Sequence, residues 1–330
     1  MMNVDKNMAM GGFILLSLAA LGICPLIGIV NISPQQILTD ENMRHVFLTM
    51  RMPRVITAFL AGGGLAVAGM VYQAIFRNPL ADPYTLGVSS GASLGAALCI
   101  LAGVSGSFSG MSVITLGAFA GALGSVAIIY CFAWSREANS STLLLAGVII
   151  ATLCSGLIMF IHFVAGFQKS FQILHWIMGG VDGVSYSLML YMIAPLVVFM
   201  LVMGIMMPQL DQFLTGDSIA HSRGVNVRAS RNLFISITAV AVGGIVAVCG
   251  PIGFIGIIAP HACRILIPGA RHRYLAFSSF LLGGTFLIVA DMFARSVAPP
   301  SEVPVGIITA LLGGPVFLLL LFRRKNKLLV

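Results

Sequence analysis

Charge is what this sequence has least of. Only 8% of its 330 residues are Asp, Glu, Lys or Arg, against about 25% in ordinary soluble domains. Residues 83–135, between Asp82 and Arg136, carry no charged side chain, and neither do 7–39, 55–76, 138–168, 183–210, 232–263 and 303–322. A charge at the centre of a spanning helix costs about 2.5–3.5 kcal/mol on insertion scales, so such tracts mark lipid as the solvent. Other absences narrow the chemistry. No lysine follows a glycine, which removes a phosphate-cradling P-loop, and no H-E-x-x-H metal motif occurs. The six cysteines (Cys24, Cys99, Cys131, Cys154, Cys249, Cys263) form no C-x-x-C, so they read as small buried hydrophobes rather than a metal site or disulfide framework. The net charge of +8 comes from short loops and the C-terminus rather than a basic stripe with aromatics, which argues against nucleic acid.

What is present is apolar: 58% of the chain is hydrophobic and 37 residues are glycine. About 20 apolar residues cross the hydrocarbon core as a helix. The pattern predicts an all-α polytopic membrane protein, one transmembrane domain over 1–330, with ten segments near 9–31, 54–75, 89–103, 111–133, 141–165, 187–207, 230–250, 253–267, 274–296 and 305–322. The long central tract divides at the Gly- and Ser-rich stretch 103–110. The third and eighth segments are short, as helices are where backbone packs inside protein or lines a cavity. Lys6 before the first segment, and Leu21-Gly22-Ile23-Cys24 within it, suggest a signal peptide. Ile23 is bulkier than a lipoprotein cleavage site accepts, so an uncleaved helix is expected.

Cytoplasmic termini place thirteen of the 18 basic residues inside: Lys6, Arg77, Arg136, Arg223, Arg228, Arg231, Arg264, Arg271, Arg273, Arg323, Arg324, Lys325 and Lys327. Arg44, Arg51, Arg54, Lys169 and Arg295 then lie outside, as the positive-inside rule favours. Gly87, Gly91 and Gly95, with Gly117 and Gly121, offer small faces for helix contact, as do the pairs Gly243-Gly244, Gly283-Gly284 and Gly313-Gly314.

The polar features each carry two readings. Gly87-Val-Ser-Ser-Gly91 satisfies the G-x-S-x-G hydrolase pattern, but it opens a membrane helix, where Ser89 and Ser90 are placed to cap free N–H groups. His162 and His175, near the end of the fifth segment, are either iron or haem ligands or hydrogen-bonded structural residues. Asp291 and Arg295, spaced i, i+4, are an ion pair or part of a proton relay. The longest polar stretch, 209–232, predicts a short helix Ser218–Arg223, capped by Asp217 and ended by a left-handed Gly224. It is a partner-docking element or an ordinary surface turn.

Several motifs in order then resemble one family over nearly the whole chain. They are Arg51-Met-Pro-Arg54, Gly62-Gly63-Gly64-Leu65-Ala66 with Gln73, Asn78-Pro79-Leu80-Ala81-Asp82-Pro83, and Leu86-Gly87-Val88-Ser89-Ser90-Gly91-Ala92. Further along stand Leu145-Ala146-Gly147, Trp176 to Gly180, Gly216-Asp217 through Gly224-Val225, Gly250 to Gly256 with Pro260-His261, Asp291 with Arg295, Glu302 to Gly306, and Gly313 to Phe317. The chain is similar to the permeases of bacterial iron-chelate (siderophore or haem) and vitamin B12 ATP-binding-cassette importers, the FecCD-type, type II systems.

The resemblance implies a non-catalytic homodimer in the inner membrane with its substrate path on the dimer axis. Two cytoplasmic ATPase subunits, carrying the ATP and magnesium this chain cannot hold, would dock at Gly216, Asp217, Ser218, Ala220, His221, Arg223 and Gly224. A periplasmic or surface binding protein would meet Arg51, Arg54 and Arg295. The gate would map onto Asn78, Leu80, Ser141 and Thr142, and the fifth span with a helix at 169–178 would line the path. The resemblance implies no metal site and no cofactor in the chain itself. Asp182, and the aromatic and histidine content of 160–176, depart from the family pattern and bear on substrate choice. The competing class is a secondary transporter or channel, for which Asp291 and Arg295 alone supply intramembrane charge; a hydrolase on Ser89 lacks a base.

Overall fold

A computed structural model describes residues 6–104, 106–108, 111–134 and 140–325. Arg136, Lys327 and part of the 103–110 turn lie outside the described residues.

The first apolar segment forms α1 (Lys6–Ile23) and stops earlier than expected, giving way to a tight turn at Cys24–Leu26. Pro25 is the reason, because its ring lacks an N–H and clashes with the carbonyl four residues back. Two short helices that the apolar pattern does not announce follow. In α2 (Pro34–Thr39), Ser33 and Gln36 form a reciprocal capping box. In α3 (Glu41–Val46), the Asp40 carboxylate accepts from the backbone N–H of Asn42 and Met43. A single wide turn at Phe47–Arg51 joins α3 to α4 (Met52–Ile75), so one apolar helical run extends from Glu41 to Ile75.

Next come α5 (Val88–Ala102), a two-residue-per-strand hairpin of β1 (Ser107–Phe108) with β2 (Met111–Ser112), and α6 (Val113–Trp134). They are followed by α7 (Ser140–Val164), α8 (Phe167–Ile177), α9 (Tyr186–Phe213), α10 (Asp217–Ser222) and α11 (Val227–Cys249). The chain closes with α12 (Ile255–Leu266), α13 (His272–Ser296) and α14 (Val305–Lys325). Each of the ten expected segments falls on a helix. Among the described residues seven runs are long and apolar enough to cross a membrane, and Val88–Ala102, Ile255–Leu266 and Val305–Leu319 are shorter apolar helices.

The bundle is built around α4, which packs against α13, α12, α11 and α9 and buries nearly all of its length. Close contact replaces the hydrophobic effect as the adhesive between helices in lipid. At the α5–α6 crossing a Cβ on Gly91 would overlap the Gly121 carbonyl, and one on Gly95 would overlap that of Gly117. One expected glycine role and one expected capping role differ. Gly87 is the left-handed N-cap of α5, at φ +69°, where a Cβ would also press on Ile150 of α7, and no side chain caps that helix, so Ser89 and Ser90 do not. Gly314 has open space where a Cβ would stand. Away from α4, the outer faces of α7 and α9 present Leu153, Met159, Phe163, Leu201 and Ile205 to the surroundings. Exposed aliphatic and aromatic area on this scale belongs in lipid or against another chain.

Candidate functional site

One end of the bundle holds α10. Glycines at both of its ends adopt conformations that side chains resist: Gly216 has φ +107° and Gly224 has φ +85°, with open space around each. Conformation rather than crowding therefore selects glycine there. The helix closes as expected at Gly224, whose N–H reaches the His221 carbonyl while that of Val225 reaches Ala220.

Its start differs from expectation. The helix begins at Asp217, the N-cap is Gly216, and no side chain caps it. The Asp217 carboxylate is occupied elsewhere: one oxygen pairs with Arg77 at the end of α4, and the other lies 2.7 Å from Arg231 Nη2 on α11. Ala220 is fully buried, so it seats the helix instead of meeting a partner. Ser218, Ile219, His221 and Arg223 remain exposed, and Arg223 Nη1 donates to Gln212 Oε1 at 2.8 Å.

The platform beneath α10 is the last turn of α9, which neighbours tie on several sides. Ser230 Oγ donates to Gln209 Oε1 at 2.9 Å. The His272 N–H donates to Asp211 Oδ1 at 3.1 Å, and Arg77 Nε donates to the Phe213 carbonyl at 3.0 Å. Sequence reasoning missed Arg77 and Arg231 as members of this site. Arg77 stands 140 residues from Asp217, so no local spacing could have joined them.

Asn78 and Leu80 follow Arg77 directly. Asn78 Oδ1 accepts from the Leu80 N–H at 3.0 Å, and Leu80 is 43% exposed. Ser141 and Thr142 lie exposed on the first turn of α7. Just beyond, burial pushes the Asp82 carboxyl up to about 6 against the opposing effect of the Tyr84 N–H, which donates to Asp82 Oδ1 at 2.9 Å.

The opposite end gathers the three arginines expected to face a partner, and the structure buries one of them. Arg295 is 2% exposed. Its Nε lies 3.1 Å from Asp291 Oδ2, and Nη1 and Nη2 donate to the carbonyls of Ile27 and Cys24 at 3.0 and 3.3 Å. A guanidinium used in this way cannot reach a docking protein. Arg54 bridges Asp291 at 2.9 Å and Glu302 at 2.5 Å. Arg51 donates to the carbonyls of Pro25, Ile27 and Val30. A proton relay on Asp291 is opposed by the same contacts, because two guanidiniums hold its carboxylate.

Beside this cluster an open cavity of about 590 Å³ is bounded by Arg51, Arg54, Arg295, Asp182 and Glu302 together with Ile29, Met43 and Met50. Asp182, singled out as a departure, thus belongs to the cavity wall. His175 is exposed on α8, one and two turns beyond Phe171 and Phe167. The helix itself spans 167–177, close to the expected 169–178. The His162 carbonyl accepts from Ser170 Oγ at 3.2 Å. Among the described residues no three His, Cys, Asp or Glu side chains group to hold a metal. Cys24, Cys154, Cys249 and Cys263 are buried and Cys99 half-buried, but Cys131 is exposed, contrary to the buried reading.

The pattern of the FecCD transport family matches residues 13–323. The chain belongs to the FecCD transport family. Among its FecCD relatives is the hemin transport system permease protein HmuU of Yersinia pestis, 38% identical over 88% of this chain and 86% of that one. The cobalamin import system permease protein BtuC of Halobacterium salinarum is 36% identical, covering 92% of this chain and 81% of its own. The Fe(3+)-citrate import system permease protein YfmE of Bacillus subtilis is 35% identical, covering 95% and 93%. A solved structure described as an inward-facing conformation of a metal-chelate type ABC transporter superposes with a TM-score of 0.86 at 31% identity, over 95% of this chain and 98% of that one. As a FecCD protein the chain is a multi-pass ABC importer permease, the translocating rather than the catalytic kind of subunit.

Proposed function

We propose that this chain is the inner-membrane half-channel of an ATP-driven importer for a ferric siderophore, haem or a corrinoid, and that it works as a homodimer. The ATP and magnesium belong to two ATPase subunits that grip α10 from the cytoplasm, on Ser218, His221 and Arg223 with the flanking glycines. The observation that carries this reading is the seating of α10: a short helix, with glycines of unusual φ at both ends and tied to α9 through Arg223 and to α11 through Asp217, on a chain with no phosphate-binding loop. A lever must be stiff to transmit force, and these ties supply the stiffness.

The apolar, uncovered sides of α7 and α9 suit the dimer seam and the lipid boundary. A binding protein delivers substrate at the opposite end, on the rim of the cavity where Arg51 and Arg54 are partly accessible. The residues in line for the gate are Asn78 and Leu80, with Ser141 and Thr142. Haemin, cobalamin and ferric citrate are the substrates to try first, since HmuU, BtuC and YfmE are named for them.

The test is reconstitution of the chain with its ATPase and binding protein in liposomes, followed by uptake of the three chelates. ATP-dependent uptake of one of them is expected. Uptake driven by an ion gradient with the ATPase absent would reject the importer in favour of a secondary transporter.

A further inference from the structure

Arg77 holds a backbone conformation that residues with a Cβ avoid. Its φ is +49°, and Phe254 is the other non-glycine with positive φ among the described residues. Such a residue persists only where its surroundings hold it. Here the backbone holds it, in a turn that closes α4: the Arg77 N–H reaches the Ala74 carbonyl at 3.3 Å and the Asn78 N–H that of Gln73 at 3.2 Å. The side chain leaves that turn toward α9 and α10, where Nε donates to the Phe213 carbonyl at 3.0 Å and Nη2 pairs with Asp217 Oδ1. The other oxygen of Asp217 lies 2.7 Å from Arg231 Nη2. The Arg231 guanidinium in turn sits 5.9 Å from the centre of the Phe213 ring. One carboxylate on α10 is therefore shared by a more exposed and a more buried partner. The Arg231 side chain is 12% exposed, whereas Arg77 and Asp217 are 42% and 46% exposed. Ion pairs open to solvent are weak and break readily. Downstream, the Asn78 N–H is bonded to the Gln73 carbonyl and the Leu80 N–H to Asn78 Oδ1, so the φ of Arg77 sets how the 78–80 loop leaves α4.

We propose that Arg77 is a positioning residue, a latch whose pairing with Asp217 ties the conformation of the 78–80 loop to the position of α10. The inference rests on the reading that an ATPase moves α10. While the latch is closed, the Arg77 side chain ties the end of α4 to α10. When α10 shifts and Asp217 withdraws, that tie is lost and the 78–80 loop is free to move Leu80. Paired and released are two discrete states biased by one partner, which is what a switch requires.

The test needs no knowledge of the substrate. Leu80→Cys, in a Cys131→Ser background, is labelled with a maleimide in the complex of chain and ATPase, either nucleotide-free or trapped with ATP and vanadate. The labelling rate of the otherwise unchanged protein should differ between the two states by at least about five-fold, the lower range of site-to-site coupling. Arg77→Gln should collapse that ratio toward one while ATP hydrolysis continues, and Asp217→Asn should collapse it to the same extent. The double variant should be no worse than either single, because both remove the same link. Arg231→Gln, which does not touch the loop, should keep the response; a merely structural cluster would lose it equally.

A nucleotide response that survives Arg77→Gln, or a double variant whose defect is the product of the singles, overturns the latch. If Arg77→Gln does not assemble, Asp217→Asn, which preserves side-chain shape, decides the matter. Failure of the unchanged chain to bind or stimulate an ATPase overturns instead the importer reading, and the latch with it.

Discussion

A guanidinium buried in a membrane protein is defined by what it touches. Arg295, facing Asp291 and two carbonyls at the end of α1, is part of the scaffold. Removing one partner of a buried pair leaves the other charge uncompensated and costs about 3–5 kcal/mol. Asp291→Asn should therefore lower the unfolding free energy of the detergent-purified chain by about that much, and its denaturation midpoint with it, with no binding protein present. A midpoint within error of the unchanged chain would return Asp291 and Arg295 to a surface role. Asp82 offers a pH test at the same scale. Its carboxyl is pushed up to about 6 in the folded state from an ordinary 3.8. The neutral form is thus favoured on folding: its stabilising contribution is full below about 4 and lost as pH rises through about 6. Asp82→Asn keeps an acceptor for the Tyr84 N–H and should stabilise the protein by about 1–3 kcal/mol at pH 8. Unfolding midpoints of the two proteins should converge at pH 4. A constant offset across pH 4–8 would show that the carboxyl does not titrate in that window.

At the scale of elements, the length and spacing of charge-free tracts placed ten helices, because lipid excludes charge from every residue that crosses it. The same signal said nothing of α2 and α3, which contain Pro34, Asp40 and Glu41 and are made by capping rather than by apolar period. For α10 the polar stretch and Gly224 were legible. The partner of Asp217 was not, since a capping aspartate and an ion-paired one look alike until distant arginines arrive in space. The expectation for Arg295 failed for the same reason: sequence shows a charge near an apparent interface but not the carboxylate and carbonyls it will face. Gly224→Val tests the lever directly. The site has room for the side chain but not the φ for it, and a left-handed β-branched residue is strained by about 1–2 kcal/mol. In the reconstituted complex, ATP hydrolysed per chelate imported should rise severalfold while the ATPase still binds. Unchanged stoichiometry would mean that the C-terminal turn of α10 carries no force.

For the whole molecule, the distribution of tight glycine contacts separates two regions. Around α4 the helices interlock and bury one another, while α7 and α9 leave their outer faces uncovered. The α5–α6 crossing belongs to the first kind. Gly95→Leu should force the two backbones apart, because a side chain there would overlap the Gly117 carbonyl. Overpacking of this kind costs about 1–3 kcal/mol or more, so reduced yield and a lower unfolding temperature are expected. A normal melting curve would show that the crossing repacks freely.

The attachment of α1 has a consequence for biogenesis. The carbonyls of Cys24 and Ile27, in the turn just after it, accept from Arg295 near the end of α13, and the Ile27 carbonyl also accepts from Arg51. The turn is thus anchored in two stages, by a residue close in sequence once the start of α4 is made and by one from α13 only when most of the chain has left the ribosome.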